Sequence, residues 1–261
     1  MRASVVIRVR DEAAALERLL RELADQSAAH EVVVVDSGSR DGSADVARAA
    51  GARVLEIPAR AFTFGRALNL GAAACVAETI VALSAHAYPR EAGWLERMAA
   101  ALDDPQVACT FGPSHDAAGQ PLRAAIRQDA ALVAGQPFWG YSNGAGAFRA
   151  ALWRGRGFRE DLPGCEDREW ALWAMQAGYV CLLDPALAVD HDHSKDSLRQ
   201  SFRRYAREAR GDSAFVDLPP YRVRDAAGEW WTDQGWHRSR ARARLDPRRA
   251  ARLAGKWWGR R

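Results

Sequence analysis

The sequence predicts an α/β fold, a mostly parallel sheet flanked by helices, with a helical, basic extension at its C-terminal end. Three observations carry that expectation. Apolar periodicity alternates between strand and helix from Ser4 to Ser84. The run Glu31–Asp36 (EVVVVD) is apolar without alternation, as a central strand buried on both faces must be. The segments that follow the strands are unusually polar, and in open α/β sheets ligands sit outside the carboxyl ends of the strands.

Taken in order, Ser4–Val9 is a short β-branched run and reads as the first strand. Glu12–Ala24 places Leu16, Leu19, Leu20 and Leu23 at helical spacing. The strand Glu31–Asp36 follows, then a helix Ser43–Ala50 closed by Gly51, a strand Ala52–Ile57, a helix Gly65–Val76 and a strand Thr79–Ser84. Strands alternating with helices pair in parallel, with helices on both faces. The second half is less regular: a Gly-rich stretch Phe138–Phe148, a helix from about Glu166 to Ala177 ended by Gly178, a strand Tyr179–Val189 and a helix Lys195–Ala209. It reads as the part that completes a site rather than founds the sheet. Residues 1–211 are expected to form one domain, and residues 212–261, which hold the Trp-rich segment Glu229–Trp236 and the basic tail, an appended extension.

Composition narrows the class. With 48% hydrophobic and 27% charged residues in 261, the chain can fill a core, and it carries no repeat or low-complexity tract, which excludes disordered, collagenous and coiled-coil proteins. Met1–Arg10 reads as a strand with arginines inside it, not as a signal peptide, and no window approaches the length of a bilayer-spanning helix. Cys75, Cys109, Cys165 and Cys181 lack metal-site or disulfide-framework spacing and are expected to be reduced thiols in a cytoplasmic protein. The net charge of +4 is uneven: Arg238–Arg261 holds ten Arg/Lys against Asp246, a local +9 that leaves −5 on the rest. Basicity confined to a tail argues against a nucleic-acid-binding body.

The turn DSGSRDGS (Asp36–Ser43) ends the buried strand with a carboxylate and backbone amides at the sheet's binding edge. It reads either as a dock for a ligand with hydrogen-bond donors or as a plain turn with Ser43 as N-cap.

Five segments in order, SVVIRVRDEAAALERLLREL, VVVVDSGSRDGS, FTFGRALNLGAA, IVALSAHAYP and GCEDREW, resemble the family 2 glycosyltransferases. These are GT-A fold enzymes that move a sugar from a nucleotide diphosphate with inversion at the anomeric carbon. The similarity runs from about Ser4 to Gly211, and FTFGRALN together with the HDHS and RRYAREARG segments is most similar to the rhamnosyltransferase-like branch. The resemblance implies that Arg10 to Glu12 and Asp36 wall the nucleobase and ribose pocket, with Asp36 accepting from a base N–H. It implies that Arg66 and Asn69 fall near the ribose and diphosphate. UDP- or TDP-linked sugars are the favoured donors.

The departure from the family pattern lies at Ser84-Ala85-His86, where the family's strand ends Asp-x-Asp and the second aspartate holds a divalent cation. Imidazole ligates Mn²⁺, Fe²⁺ or Zn²⁺ but is a poor partner for Mg²⁺. Three readings stand: His86 is a substitute metal ligand, which favours Mn²⁺ over Mg²⁺; it meets the diphosphate directly, without metal; or the site has decayed. His191 and His193 follow the strand ending at Val189, where the family often supplies a further metal or diphosphate ligand. An H-x-H pair in a strand points both rings to one face. Asp190 and Asp192 interleave, so a charged loop capping the next helix is the competing reading.

Inverting transfer needs a base for the acceptor hydroxyl, and the resemblance assigns that role to Asp167, with Glu166 as second choice. Both begin a helix, whose dipole favours their ionised forms. Trp139 and Tyr141 offer flat surfaces for a sugar or pack in the core. Arg203 or Arg204 with Arg207 clamp phosphate or are solvated. The tail, ending Lys256-Trp257-Trp258-Gly259-Arg260-Arg261, suits an anionic membrane surface at the inner face and a lipid-linked acceptor, with RNA adhesion or disorder as competing readings. The expected protein is thus an inverting glycosyltransferase of polysaccharide biosynthesis acting on a glycan, lipid-linked or small-molecule hydroxyl. The alternatives are a degenerate GT-A scaffold that binds nucleotide or glycan without turnover and, third, a nucleotidyltransferase.

Overall fold

The computed structural model describes residues 1–112, 122–135, 140–191, 197–232 and 246–260. In chain order the elements are β1 (Ala3–Val9), α1 (Ala13–Ala24), β2 (His30–Asp36), α2 (Ser43–Ala49), β3 (Arg53–Glu56), α3 (Phe64–Ala73), β4 (Thr79–Ser84), β5 (Ala87–Pro89), α4 (Trp94–Ala101), β6 (Val107–Gly112), β7 (Ile126–Gln128), α5 (Ala130–Gly135), β8 (Ala145–Arg149), α6 (Ala150–Gly155), α7 (Glu166–Gln176), β9 (Val180–His191), α8 (Leu198–Ser213), α9 (Val223–Thr232) and, last, α10 (Pro247–Gly259). The sheet runs β3-β2-β1-β4-β8-β6-β9-β5, with β7 also pairing with β9.

The first half follows the expected pattern. β1 pairs in parallel with both β2 and β4, and β2 with β3. β1 is buried on both faces because its side chains alternate between two cores. Val5, Ile7 and Val9 join Leu16, Leu19, Leu23, Trp94 and Leu95 on one side, while Val6 joins Leu68, Ile80, Phe148 and Trp170 on the other. Arg8 continues the Val6 face, so its side chain leaves the sheet on the side of α3 and α7 just as the strand ends.

The second half founds part of the sheet, contrary to expectation. β8, from the end of the Gly-rich stretch, lies between β4 and β6 and runs antiparallel to both. Ala145-Gly146-Ala147 has no β-branched signature, but its place is crowded: a Cβ on Gly146 would come within 2.6 Å of the Ser142 carbonyl oxygen and 3.0 Å of that of Thr110. Small size, rather than propensity, puts this segment in the centre. β9 runs parallel to β6 and continues to His191, where it pairs with β5.

At the C-terminus α10 packs along α8. A Cβ on Gly255 would meet the Phe202 carbonyl oxygen at 2.5 Å, and one on Gly259 would overlap that of Ala206, so the two helices approach with no side chain between them. The Asp246 side chain caps the first turn of α10 at Arg248. No helix among the described residues is long and apolar enough to cross a membrane.

Candidate active site

The site begins where the β1–α1 and β2–α2 loops lock together. Asp36 ends β2; its Oδ1 accepts from the Gly38 and Ser39 amides at 2.8 Å each, while Oδ2 is buried with no hydrogen-bond partner among the described residues. Gly38 makes the turn at φ 86°. Across the gap the Asp11 amide donates to Ser39 Oγ at 3.0 Å, and the Arg40 amide donates to Asp11 Oδ1 at 2.7 Å. Ser43 does not cap α2. Its Oγ accepts from the Glu12 amide at 3.1 Å and donates to Asp41 Oδ1 at 2.6 Å, and Asp41 Oδ2 takes the Ala13 amide. The Ser43 hydroxyl and then the Ala13 amide hold the Asp41 carboxyl below its ordinary value. Arg10 is exposed beside this latch, 3.9 Å from Asp11.

The next corner is built on β4. Ser84 is in register with Arg8, and its amide donates to the Gly144 carbonyl at 2.9 Å. His86 Nδ1 lies 2.6 Å from Glu12 Oε2, so the Glu12 carboxylate is at the SAHA corner rather than facing the Asp36 turn alone. The Ala87–His191 pairing of β5 with β9 brings the His86 and His191 rings to a centroid separation of 4.8 Å, tilted by 47°. His193 lies outside the described residues. Among those described, no three His, Cys, Asp or Glu side chains converge as a ligand set. Two neighbouring imidazoles can ligate Mn²⁺, Fe²⁺ or Zn²⁺ and are poor partners for Mg²⁺.

Asp167 and Glu166 open α7 after Cys165, which takes the left-handed conformation at φ 63°. Asp167 Oδ2 accepts from the Asn143 amide at 2.9 Å. Glu166 is 3% exposed, and burial, followed by the charge of Asp167, pushes its carboxyl up to about 7 against the opposing pull of Arg8. The helix dipole was expected to keep both carboxyls ionised; for Glu166, desolvation outweighs it. Arg8 Nη1 is 3.6 Å from Glu166 Oε1, and Arg8 Nη2 donates to the Asn143 carbonyl at 3.3 Å.

The remaining candidates divide. Arg66 is exposed on α3. Asn69 is spent within the fold: its Nδ2 donates to Phe158 O and Glu160 Oε1, and its Oδ1 accepts from Trp153 Nε1 and the Phe158 amide. Tyr141 is core, edge-on to Phe111, and Trp139 lies outside the described residues. Arg203 is exposed and Arg204 lies over Tyr205, but Arg207 turns inward over the Phe64 ring, 4.5 Å from its centroid.

A continuous line of contacts therefore crosses the carboxyl edge: the Asp36 turn to the Asp11–Glu12 loop, Glu12 to His86, His86 to His191, and His191 to Gly144, where a Cβ would meet its ring at 3.3 Å. From Gly144 the line passes to Asn143 and Asp167. Two surface concavities of about 350 and 410 Å³ lie elsewhere, one between Pro219–Asp225 and Arg260, the other at the opposite ends of the strands beside His30 and Arg53. Sequence reasoning did not single out Arg8, Phe64 or Asn143. The available signal was an arginine on an otherwise apolar strand face.

The family model described as Glycosyl transferase family 2 matches residues 4–175. Among solved structures, the chain is similar to the mannosyltransferase PcManGT from Pyrobaculum calidifontis in complex with GDP-Man and Mn²⁺, with a TM-score of 0.67 and 20% identity over 97% of this chain and 74% of that one. It is also similar to S. aureus TarS 1-349 in complex with UDP-GlcNAc (TM-score 0.60, 18% identity, 88% and 70% covered). A third is glucosyl-3-phosphoglycerate synthase from Mycobacterium tuberculosis in complex with phosphoglyceric acid (TM-score 0.61, 17% identity, 83% and 80% covered). These likenesses establish the GT-A fold. No curated protein matches the chain.

Proposed function

The chain belongs to glycosyl transferase family 2, and from that premise we propose that it is an inverting glycosyltransferase that moves a sugar from a nucleotide diphosphate to a hydroxyl acceptor. The observation that carries this reading is the line of contacts from Asp36 to Asp167. At one end a buried carboxylate oxygen lacks a partner among the described residues, which suits a nucleobase N–H; at the other a carboxylate is held by a backbone amide.

In this reading the base docks against Asp36 Oδ2, and Arg10 and the Asp11–Glu12 loop wall the ribose. Ser84, His86 and His191 meet the diphosphate, with Arg66 at its edge. The acceptor oxygen attacks the anomeric carbon from the side opposite the leaving group; the C–O bond to the diphosphate breaks as the new one forms, and the hydroxyl proton passes to Asp167. Glu166 stands behind Asp167 and sets the field around it with Arg8. A divalent cation, Mn²⁺ rather than Mg²⁺, would be held by His86 and His191 and would neutralise charge on the leaving diphosphate.

Three finer points belong to the same proposal. FTFGRALN and the segment around α8 support the rhamnosyltransferase-like branch with a UDP- or TDP-linked donor. Residues 212–261 are read as an extension of the catalytic domain. Its basic charge and the exposed Trp231 and Trp258, 59% and 51% accessible, support contact with an anionic membrane and a lipid-linked acceptor in polysaccharide biosynthesis. The absence of both family carboxylates at Ser84 and His86 favours one competing reading, a scaffold that binds nucleotide without turnover. Incubation with UDP-, TDP- and GDP-sugars, with Mn²⁺ or EDTA, separates them: nucleotide-diphosphate release that disappears in Asp167→Asn supports the enzyme, and binding without release supports the scaffold.

A further inference from the structure

Two guanidiniums rest over one aromatic ring beside the candidate base. Arg8, from the end of β1, lies 5.1 Å from the Phe64 centroid, and Arg207, from α8, lies 4.5 Å from it. Among the described residues neither makes a close, hydrogen-bonded ion pair, although Glu166 lies near Arg8 and the charges of Glu208 and Glu166 act on Arg207. Arg8 Nη1 is buried without a hydrogen-bond partner among the described residues, and Glu166 Oε1 lies 3.6 Å from it. Among the described residues no carboxylate sits within ion-pair distance of the Arg207 guanidinium. Its stem is packed against the Gly164 turn, where a Cβ would meet it at 3.3 Å, and burial lowers its affinity for the proton. Glu166 answers this charge only in part, since burial pushes its carboxyl up and disfavours its ionised form. Desolvated cations without a close ion-pair partner are arranged to receive an anion, and guanidinium matches carboxylate and phosphate in geometry.

Location selects the source of that anion. Arg8 touches Glu166 and the Asn143 carbonyl, and the same Asn143 residue holds Asp167 through its amide. The imidazole pair, the diphosphate corner of the proposed site, connects to Asp167 through Gly144 and Asn143. We propose that Arg8 and Arg207, gathered on Phe64, form the acceptor subsite and select an acceptor that carries a carboxylate or phosphate close to the hydroxyl to be glycosylated. This rests on the reading of Asp167 as the acceptor-side base.

The test uses the full chain and three small probes, glycerol 1-phosphate, glycerate and uncharged glycerol, titrated calorimetrically alongside UDP, TDP and GDP. The two anionic probes are expected to bind and glycerol not to. Arg207→Gln is expected to weaken the anions about tenfold while leaving nucleotide affinity within about twofold. Arg8→Lys, which keeps the charge that balances Glu166 but loses the planar fork, should do the same, with circular dichroism verifying its fold. Preference between the first two probes tells phosphate from carboxylate. Equal weakening of nucleotide and probe, or of nucleotide alone, would assign the pair to the donor diphosphate and overturn the proposal, as would equal binding of glycerol. If no nucleotide binds the wild-type chain, the glycosyltransferase reading itself fails, a result distinct from nucleotide binding with no anion effect.

Discussion

The amide of Asn143 donates to Asp167 Oδ2 at 2.9 Å, joining the loop before the central antiparallel strand to the first turn of α7. One carboxylate oxygen is thereby fixed by backbone rather than by a side chain. The orientation of Asp167 depends on how well that loop is seated, and so on Gly144, Gly146 and the strand between β4 and β6.

Asn69→Ala removes four hydrogen bonds that tie α3 to the segment Trp153–Glu160. It is expected to cost about 2–4 kcal/mol in denaturant unfolding. If Asn69 serves anchoring alone, UDP affinity in the folded variant stays within about threefold.

Gly211→Ala tests the support beneath the acidic turn. A Cβ there would overlap the Gly164 carbonyl and meet Cys165 Cβ at 3.2 Å, pushing α8 away from the residues that lead into Glu166 and Asp167. A loss of about 2 kcal/mol or more is expected in thermal unfolding, with a turnover drop measured at a temperature where the variant is still folded.

The raised carboxyl of Glu166 makes stability depend on pH with a definite sign. Its folded value of about 7 lies above the ordinary 4.5, so between these the folded chain binds more protons than the unfolded one, and stability falls as pH rises through that window. The loss is of order 1–3 kcal/mol, complete above about pH 7. Glu166→Gln should flatten the midpoint-versus-pH curve between pH 5 and 7.5; an unchanged slope would mean that other groups set it.

Glu12→Gln keeps the shape of the β1–α1 loop but replaces the charged partner of His86. If the SAHA corner meets the diphosphate, UDP affinity should change by about three- to tenfold, more than uridine affinity changes. Isothermal titration with both ligands measures the difference directly.

The parallel half of the sheet was legible because β1, β2 and β4 are β-branched runs separated by well-spaced helices. β8 was not, since Ala-Gly-Ala is selected by crowding from Tyr141, Ser142 and Thr110, which only the assembled sheet reveals. Asp36 stands out because it ends a predicted strand, whereas His86 and Asp167 stand out through the resemblance to the family pattern. The Glu12–His86 pairing could not, as it joins residues 74 apart through the register of β1 with β4. Asn69 looked like a ligand contact by its motif, yet its hydrogen bonds are all met by a segment that folds back from beyond β8. The helix dipole suggested two ionised carboxyls at α7, a local argument that the burial of Glu166 overrides.

The central claim is that Asp167 completes a sugar-transfer site whose nucleotide end is Asp36. Its most direct measurement is nucleotide-diphosphate release by the wild-type chain and by Asp167→Asn across the donor panel, with donor binding followed in parallel. The account predicts release by the wild-type chain, a fall of about 10²- to 10⁴-fold in the variant, and donor affinity within about twofold. Wild-type release that persists undiminished in Asp167→Asn would contradict it.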